Sequence, residues 1–584
     1  MFRWSRARGR IVKHGGGNGV GYHDDGGREH QVVKGVTCWV MLYGKRILAL
    51  VVTLALVATF GVSCAQKPAA KPSDLAADQA LRYNLSTEPE TLDSAKATGQ
   101  PENTAINALF EGLARLDANL LPQPAMAEKW EVTDDNLVWT FHLRKGIKWT
   151  NGDPVTAEDY KYAWLRVLNP ETAADYAYQL YYIKGGQDYN EGKGTADQIG
   201  IEAVDARTLK VTLAAPTPYF LSLMAFPTYF PVHKATVEAN PAWAAEAATI
   251  VSNGPFKLDK WEHQSVLEMS PNPNYWDVKN ILLTELVFYT IEDASTELTM
   301  WETGELEVGD NPPLPELDRL KAENKVIIGP DLATYYYIFN VEKAPFGDAR
   351  VRKAFTFALN RADIVAYVTK GGQRPAMAMV PYGIPNPATK TDFRQEGGDY
   401  FTDNDVVNAK TLMEEAGFKD GAGLPAIEIL YNTSEGHKAI AEAIQEMWKQ
   451  GVGATNCTLT NQEWKVYLQT RDEGNFQVAR AGWGADYMDP MTFLDMWTKG
   501  NGNNNTFWWN DEYDALIAQT KQTGDQKARF DNMHQIEAIL MAEMPIIPIY
   551  FYTDPWMQLP YVRGIIKPPF GPSVEFKYAY LAEH

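Results

Sequence analysis

Cysteine is nearly missing from this chain: three residues among 584, Cys38, Cys64 and Cys457. That excludes a disulfide framework and a thiolate zinc site, so stability must come from packing. Basic charge is short too, with 54 Lys and Arg against 74 Asp and Glu and a net charge of −20. A field of that sign repels a phosphate backbone and excludes nucleic acid as a partner. The sequence has no H-E-x-x-H, no G-x-S-x-G, no paired C-x-x-C and no EF-hand loop, so no cofactor or metal is expected. Gly186 to Gly192 with Lys193 comes nearest to a phosphate loop, but Gly194 stands where a hydroxyl belongs, and the segment reads as a surface loop. No unit of about 20–50 residues repeats, which excludes a solenoid or propeller.

Apolar residues make up 45% and aromatic residues 12%, so disorder is excluded and a chain of this length should form more than one lobe. The longest apolar run sits near the start. Lys45 and Arg46 precede apolar Ile47 to Phe60, and small residues follow before Cys64. That run falls short of the roughly 20 residues a spanning helix needs, and the order of charge, apolar run and small residues predicts a signal peptide over 41–63. Residues 1–40, rich in Gly and Arg, read as an untranslated or unstructured extension ahead of a start at Met41. Residues 64–80, rich in Ala, Pro and Lys, read as a flexible tether. Residues 1–63 hold nine basic and three acidic side chains, so the remaining body is more acidic than the whole.

Strands are expected at Leu81 to Leu85, Trp139 to Leu143, Thr208 to Leu213, Leu286 to Ile291, Tyr335 to Asn340, Ile427 to Tyr431 and Ile546 to Phe551. Helical spacing appears over Arg350 to Val365 and over Lys438 to Gln450, where Ile440, Ile444 and Trp448 share a face. From about 334 onward strand and helix alternate, ending in a strand near Gln477 to Ala479. The fold class is α/β, and this part reads as doubly wound.

The stretch Val478 to Pro490, containing Arg480, Trp483 and Asp486, closely resembles the bacterial oligopeptide-binding lipoproteins, extracellular solute-binding proteins of family 5 that serve peptide ABC transporters. So do Trp139 to Arg144, Trp149 to Thr156, Thr334 to Tyr337, Tyr431 to Ser434 and Asn461 to Lys465; together these cover nearly all of 80–584. The resemblance implies a two-lobed, hinge-bending, periplasmic-binding-protein fold with an extra inserted domain and mixed sheets. Its domains would be 81–110 with 236–333 and 556–584, then 111–235, then 334–555. It implies a monomer without enzymatic activity, exported to the periplasm or the outer face of the cell membrane and held there by palmitate or another acyl chain. That chain would be carried on Cys64, at the end of a lipobox-like Val62-Ser63-Cys64; Gly61 departs from the pattern. The partners would be short peptides and the transporter's permease subunits.

The same resemblance assigns Asp486 to the peptide α-ammonium and Arg480, Arg471 and His437 to its carboxyl end. Trp483 and Trp464 become pocket walls, with Tyr176 and Gln100 on the opposite jaw. A cysteine pair found in some relatives is replaced here by Ala333 and Gly484. Two other functions stay open on sequence alone: a receptor for an oligosaccharide or other solute, and a secreted glycoside hydrolase built on two carboxylates near a tryptophan.

Overall fold

The structure, a computed structural model, describes residues 72–584. The signal segment 41–63, Cys64 and the start of the tether lie outside this range, as do residues 1–40.

The architecture is α/β, organised on an 11-stranded mixed sheet. At one end Ala80–Asn84 pairs in parallel with Glu285–Tyr289, and the sheet continues antiparallel through Val266–Pro271 to Phe256–Glu262. At the other end Ile427–Asn432 lies between Cys457–Gln462 and Val478–Gly484, all three parallel. Helices Glu435–Val452 and Trp464–Asp472 supply the crossovers that parallel strands require. Two 13-residue strands, Ile327–Phe339 and Ile546–Gln558, run antiparallel through the middle and join the two ends. A separate four-stranded antiparallel sheet is built from Ala127–Val132, Val138–Leu143, Thr208–Thr212 and Ile201–Asp205.

Sequence pattern explains these elements. Tyr335, Tyr337 and Phe339 enter one apolar core while Tyr336 and Ile338 enter another, so this strand is buried on both faces and reads as an unbroken apolar run. In Val138–Leu143 only Phe141 and Leu143 are buried, giving the alternation of a half-covered strand. Ser434 caps Glu435–Val452 by accepting from the His437 N–H, and Gly453 ends it at φ 73°.

Two expectations need correction. The helix expected over Arg350 to Val365 stops early, as Ala349–Phe357, and Asn360 caps a new turn by accepting from the Asp363 N–H at 3.0 Å. The break turns Arg361 inward, where its buried guanidinium pairs with Asp403 at 3.0 Å and donates to the Pro548 carbonyl at 2.6 Å. Gly186–Asn190 is a one-turn helix rather than a loop.

The two central strands slip register twice, by one residue between Tyr335 and Tyr336 and more widely between Pro330 and Thr334. Pro330 pairs with Thr553 and Thr334 with Phe551, so residues 331–333 stand opposite Tyr552 alone. This bulge bends the pair where one end of the sheet passes into the other and re-aims the side chains it carries.

Candidate functional site

A cavity of about 400 Å³ opens beside the bulge. Its walls are the start of helix Gln100–Leu109, the 3-10 turn Asp175–Leu180, and strand Val478–Gly484 with the loop that follows it.

The strand contributes an edge. Ile427–Asn432 pairs with it only at Val478 and Ala479, so from Arg480 onward that edge meets no other strand among the described residues. The Ala485 N–H bonds back to the Leu332 carbonyl at 2.9 Å, while the Arg480 carbonyl accepts from the Tyr467 hydroxyl on the opposite side. By the alternation of an antiparallel pair, the N–H and C=O of Gly482 and Gly484 therefore point out along the free edge. Gly484 faces Ala333 in register, and a Cβ there would stand 4.0 Å from that of Ala333. Ala333 and Gly484 are thus direct neighbours.

Asp486 follows this strand and is 8% exposed. Gln179 donates to its carboxylate at 2.8 Å and the Tyr176 hydroxyl at 3.4 Å; residues three apart share one face of a 3-10 turn. Thr492 closes the loop, accepting from the Asp486 N–H at 3.0 Å. No cation pairs with Asp486 among the described residues. Burial, with the nearby Asp495 adding to it, pushes its carboxyl well above the ordinary aspartate range. Asp495 itself is paired with Lys521, and Asp489 is held by Arg529 in a two-pronged ion pair at 2.9 Å, so Asp486 alone of the three faces the cavity.

Arg480 is the opposite case. Its guanidinium donates to the Tyr552 hydroxyl at 2.6 Å, lies 4.8 Å from the centre of the Tyr335 ring, and has no carboxylate partner among the described residues. Its Nε is buried without an acceptor. Arg471 also lines the cavity but is already paired with Asp472 at 3.2 Å.

Trp483 and Trp464, pocket walls by the resemblance, both line the cavity. Trp483 is fixed by donating to the Thr492 carbonyl at 2.7 Å, with its ring 5.9 Å from that of Tyr176. Trp464 begins its helix and reaches across to Glu102, donating to the carboxylate at 3.3 Å. Gln100 is exposed on the facing helix.

The structure thus brings together Asp486, Arg480, Arg471, Trp483, Trp464, Tyr176 and Gln100. His437 stands apart, behind Tyr335, with Nδ1 3.3 Å from that hydroxyl. Burial and the adjacent Arg480 charge hold its pKa well below the usual histidine value. Gln179, Tyr552 and Asp331 escaped the sequence reading. The spacing of Tyr176 and Gln179 was a usable signal for the first; the other two come from the bulge, which leaves no mark in the pattern.

Two sheet ends joined by a pair of continuous strands, with a charge-lined cavity at the joint, define a hinge-type solute-binding protein. This chain belongs to the bacterial extracellular solute-binding proteins, family 5, whose middle-region profile matches residues 122–505. The dipeptide-binding protein DppE of Bacillus subtilis is 42% identical over 504 residues, 86% of this chain and 92% of its own length. Haemophilus influenzae OppA in complex with the peptide RPPGFSPFR superposes with a TM-score of 0.81 at 34% identity, covering 87% of this chain and all of that one. The Escherichia coli murein tripeptide binding protein MppA gives 0.82 at 35% identity, covering 88% and 100%. The unliganded open form of MppA, at the same 35% identity and with 88% and 99% covered, gives only 0.58. Sequence distance is the same in both comparisons, so the drop reflects conformation: this chain does not have the open arrangement.

Proposed function

We propose that this chain captures short peptides in the cavity and delivers them to the permease of an ATP-driven importer, without catalysing a reaction on them. What carries the reading is a pair of unmatched opposite charges, Asp486 and Arg480, joined by a free strand edge. A peptide laid antiparallel on that edge brings its α-ammonium to Asp486 and its α-carboxylate to Arg480, while its amides meet Gly482 and Gly484. The two charged residues are six positions apart, at most about 20 Å of extended chain, so a peptide gripped at both ends has at most about six residues. Arg471 is placed to meet a carboxylate of different reach. Trp483, Trp464, Tyr176 and Gln100 wall the side-chain space, and His437 acts from behind Tyr335. A neutral oligosaccharide would leave both charges unanswered, which favours peptide over sugar. A cleft complementary to a ground state has no means of lowering a barrier, which argues against the hydrolase.

The names of DppE and of the OppA complex agree with this ligand class. The separate four-stranded sheet supports the three-part division given above, with 111–235 as the inserted domain. No helix among the described residues is long and apolar enough to cross a membrane. In this reading the mature monomer hangs from an acylated Cys64 outside the cytoplasmic membrane. Intact-mass measurement of the membrane fraction should give a chain starting at Cys64 with an acyl mass; a chain retaining 41–63 contradicts the anchor.

The site is tested by Asp486→Asn, which keeps the shape and removes the charge. Loss of one partner of a desolvated charge pair costs on the order of 2–5 kcal/mol, or about 30-fold to several thousand-fold in Kd. An N-acetylated peptide should lose as much against the unaltered protein, and the two losses should not add. Calorimetry on the four combinations decides: additive losses would mean that Asp486 and the amino terminus never meet.

A further inference from the structure

Five charged residues line the cavity: Asp310, Asp331, Asp486, Arg471 and Arg480. Two of them are matched within the chain, Arg471 by Asp472 and Asp310 by Lys567 at 2.5 Å. A zwitterionic peptide answers two more, Asp486 and Arg480. Asp331 is left over.

Its position is set by the bulge. Residues 331–333 face Tyr552 alone, which frees the Asp331 side chain from the alternation of the strand and directs it to the cavity wall. Its carboxylate accepts no hydrogen bond and joins no ion pair among the described residues. The cation that acts on it, Lys567, is 4% exposed and already held by Asp310 and, at 3.2 Å, by Asp554. Two carboxylates thus hold that lysine and Asp331 stands beside them without an ion pair of its own, lining the cavity. Burial and the adjacent Asp554 push Asp331 up to about 7. Among the described residues no group of three or more His, Cys, Asp or Glu side chains is arranged to hold a metal ion.

Resting on the peptide reading, we propose that Asp331 forms a side-chain subsite that selects peptides carrying one cationic side chain, a lysine, an arginine or a similar amine. The bound ligand then has a net charge of +1, and every charge in the cavity wall has a partner. The net −20 of the chain favours the same ligands at long range.

The experiment is a positional scan by calorimetry. Alanine peptides of three to five residues are compared with versions carrying lysine or norleucine, its neutral counterpart of similar length, at each position. At one position lysine should bind at least about tenfold more tightly than norleucine. In Asp331→Asn that ratio should vanish while the all-alanine peptides keep their Kd within about twofold, which also shows that the variant is folded. Equal binding of lysine and norleucine at every position overturns the subsite, as does a preference that survives Asp331→Asn. If the all-alanine peptides bind and the scan is flat, only the subsite falls; if nothing in the set binds, the peptide reading falls and takes the subsite with it.

Discussion

Glu111 and Glu102 are both about 1% exposed, yet their surroundings treat them in opposite ways. Burial alone would raise Glu111, but Lys577 and Arg115, with Trp276 and Tyr275 donating, hold it down at about 2. Glu102 has no cation partner among the described residues; burial outweighs its hydrogen bonds, one Oε has no partner among them, and the group is pushed up to about 7. A folded value above the unfolded one means that this carboxyl's contribution is fully present below about pH 4 and is lost as the pH rises through 7. Glu102→Gln, which keeps the neutral shape, should match the unaltered protein near pH 5 and exceed it by on the order of 2 kcal/mol at pH 8. Thermal melts at the two pH values check this, and a variant no more stable at pH 8 than at pH 5, relative to the parent, contradicts it. At this scale the sequence was informative where a motif surrounds the residue. Asp486, Arg480 and Trp483 lie in one stretch, whereas Gln179 and Asp331 depend on a turn and a bulge that only the fold creates.

At the scale of elements, the proposed function lays the peptide along strand Val478–Gly484. Only alternate residues present N–H and C=O to its free edge, so a bound peptide should be sensitive to backbone change at alternate positions. Methylating a peptide amide that faces Gly482 or Gly484 removes a ladder bond in a dry cleft and should cost on the order of 1–3 kcal/mol, about 5- to 150-fold in Kd. Methylating the amide between them should be tolerated. Competition binding with a methyl scan reads the pattern, and a uniform effect along the peptide contradicts the register. The strands themselves were legible because their apolar runs and alternation are long. Their lengths were not: Ile327–Phe339 and Ile546–Gln558 extend well beyond the apolar segments Tyr335 to Asn340 and Ile546 to Phe551, since Pro330 and Pro555 fall in stretches that break the pattern yet remain paired. The helix break at Asn360 was hidden for a related reason, because Arg361 reads as a surface residue until Asp403 is brought beside it.

For the whole molecule, the two sheet ends are tied by two long strands, and the bulge at 331–333 opposite Tyr552 breaks their pairing between Pro330 and Thr334. The contacts that close the cavity come from elements far apart in sequence: Gln179 and Tyr176 to Asp486, Tyr182 to Asp495, and the Tyr219 ring stacked on Tyr487 at 4.3 Å. Only Asp486 among these carries an unmatched charge, so under the proposed function a ligand's ammonium would strengthen closure while the aromatic contacts supply a neutral background. The two-lobed class could be read from the sequence through its motifs, but the closed arrangement could not, because closure is a choice between two packings of one chain. The most direct test of the account is small-angle scattering on protein stripped of ligand, titrated with a short peptide and followed by mass spectrometry of the recovered peptide. The radius of gyration should fall and saturate at one peptide per chain, with the peptide recovered whole. An unchanged radius despite saturating binding, or a cleaved peptide, would contradict it.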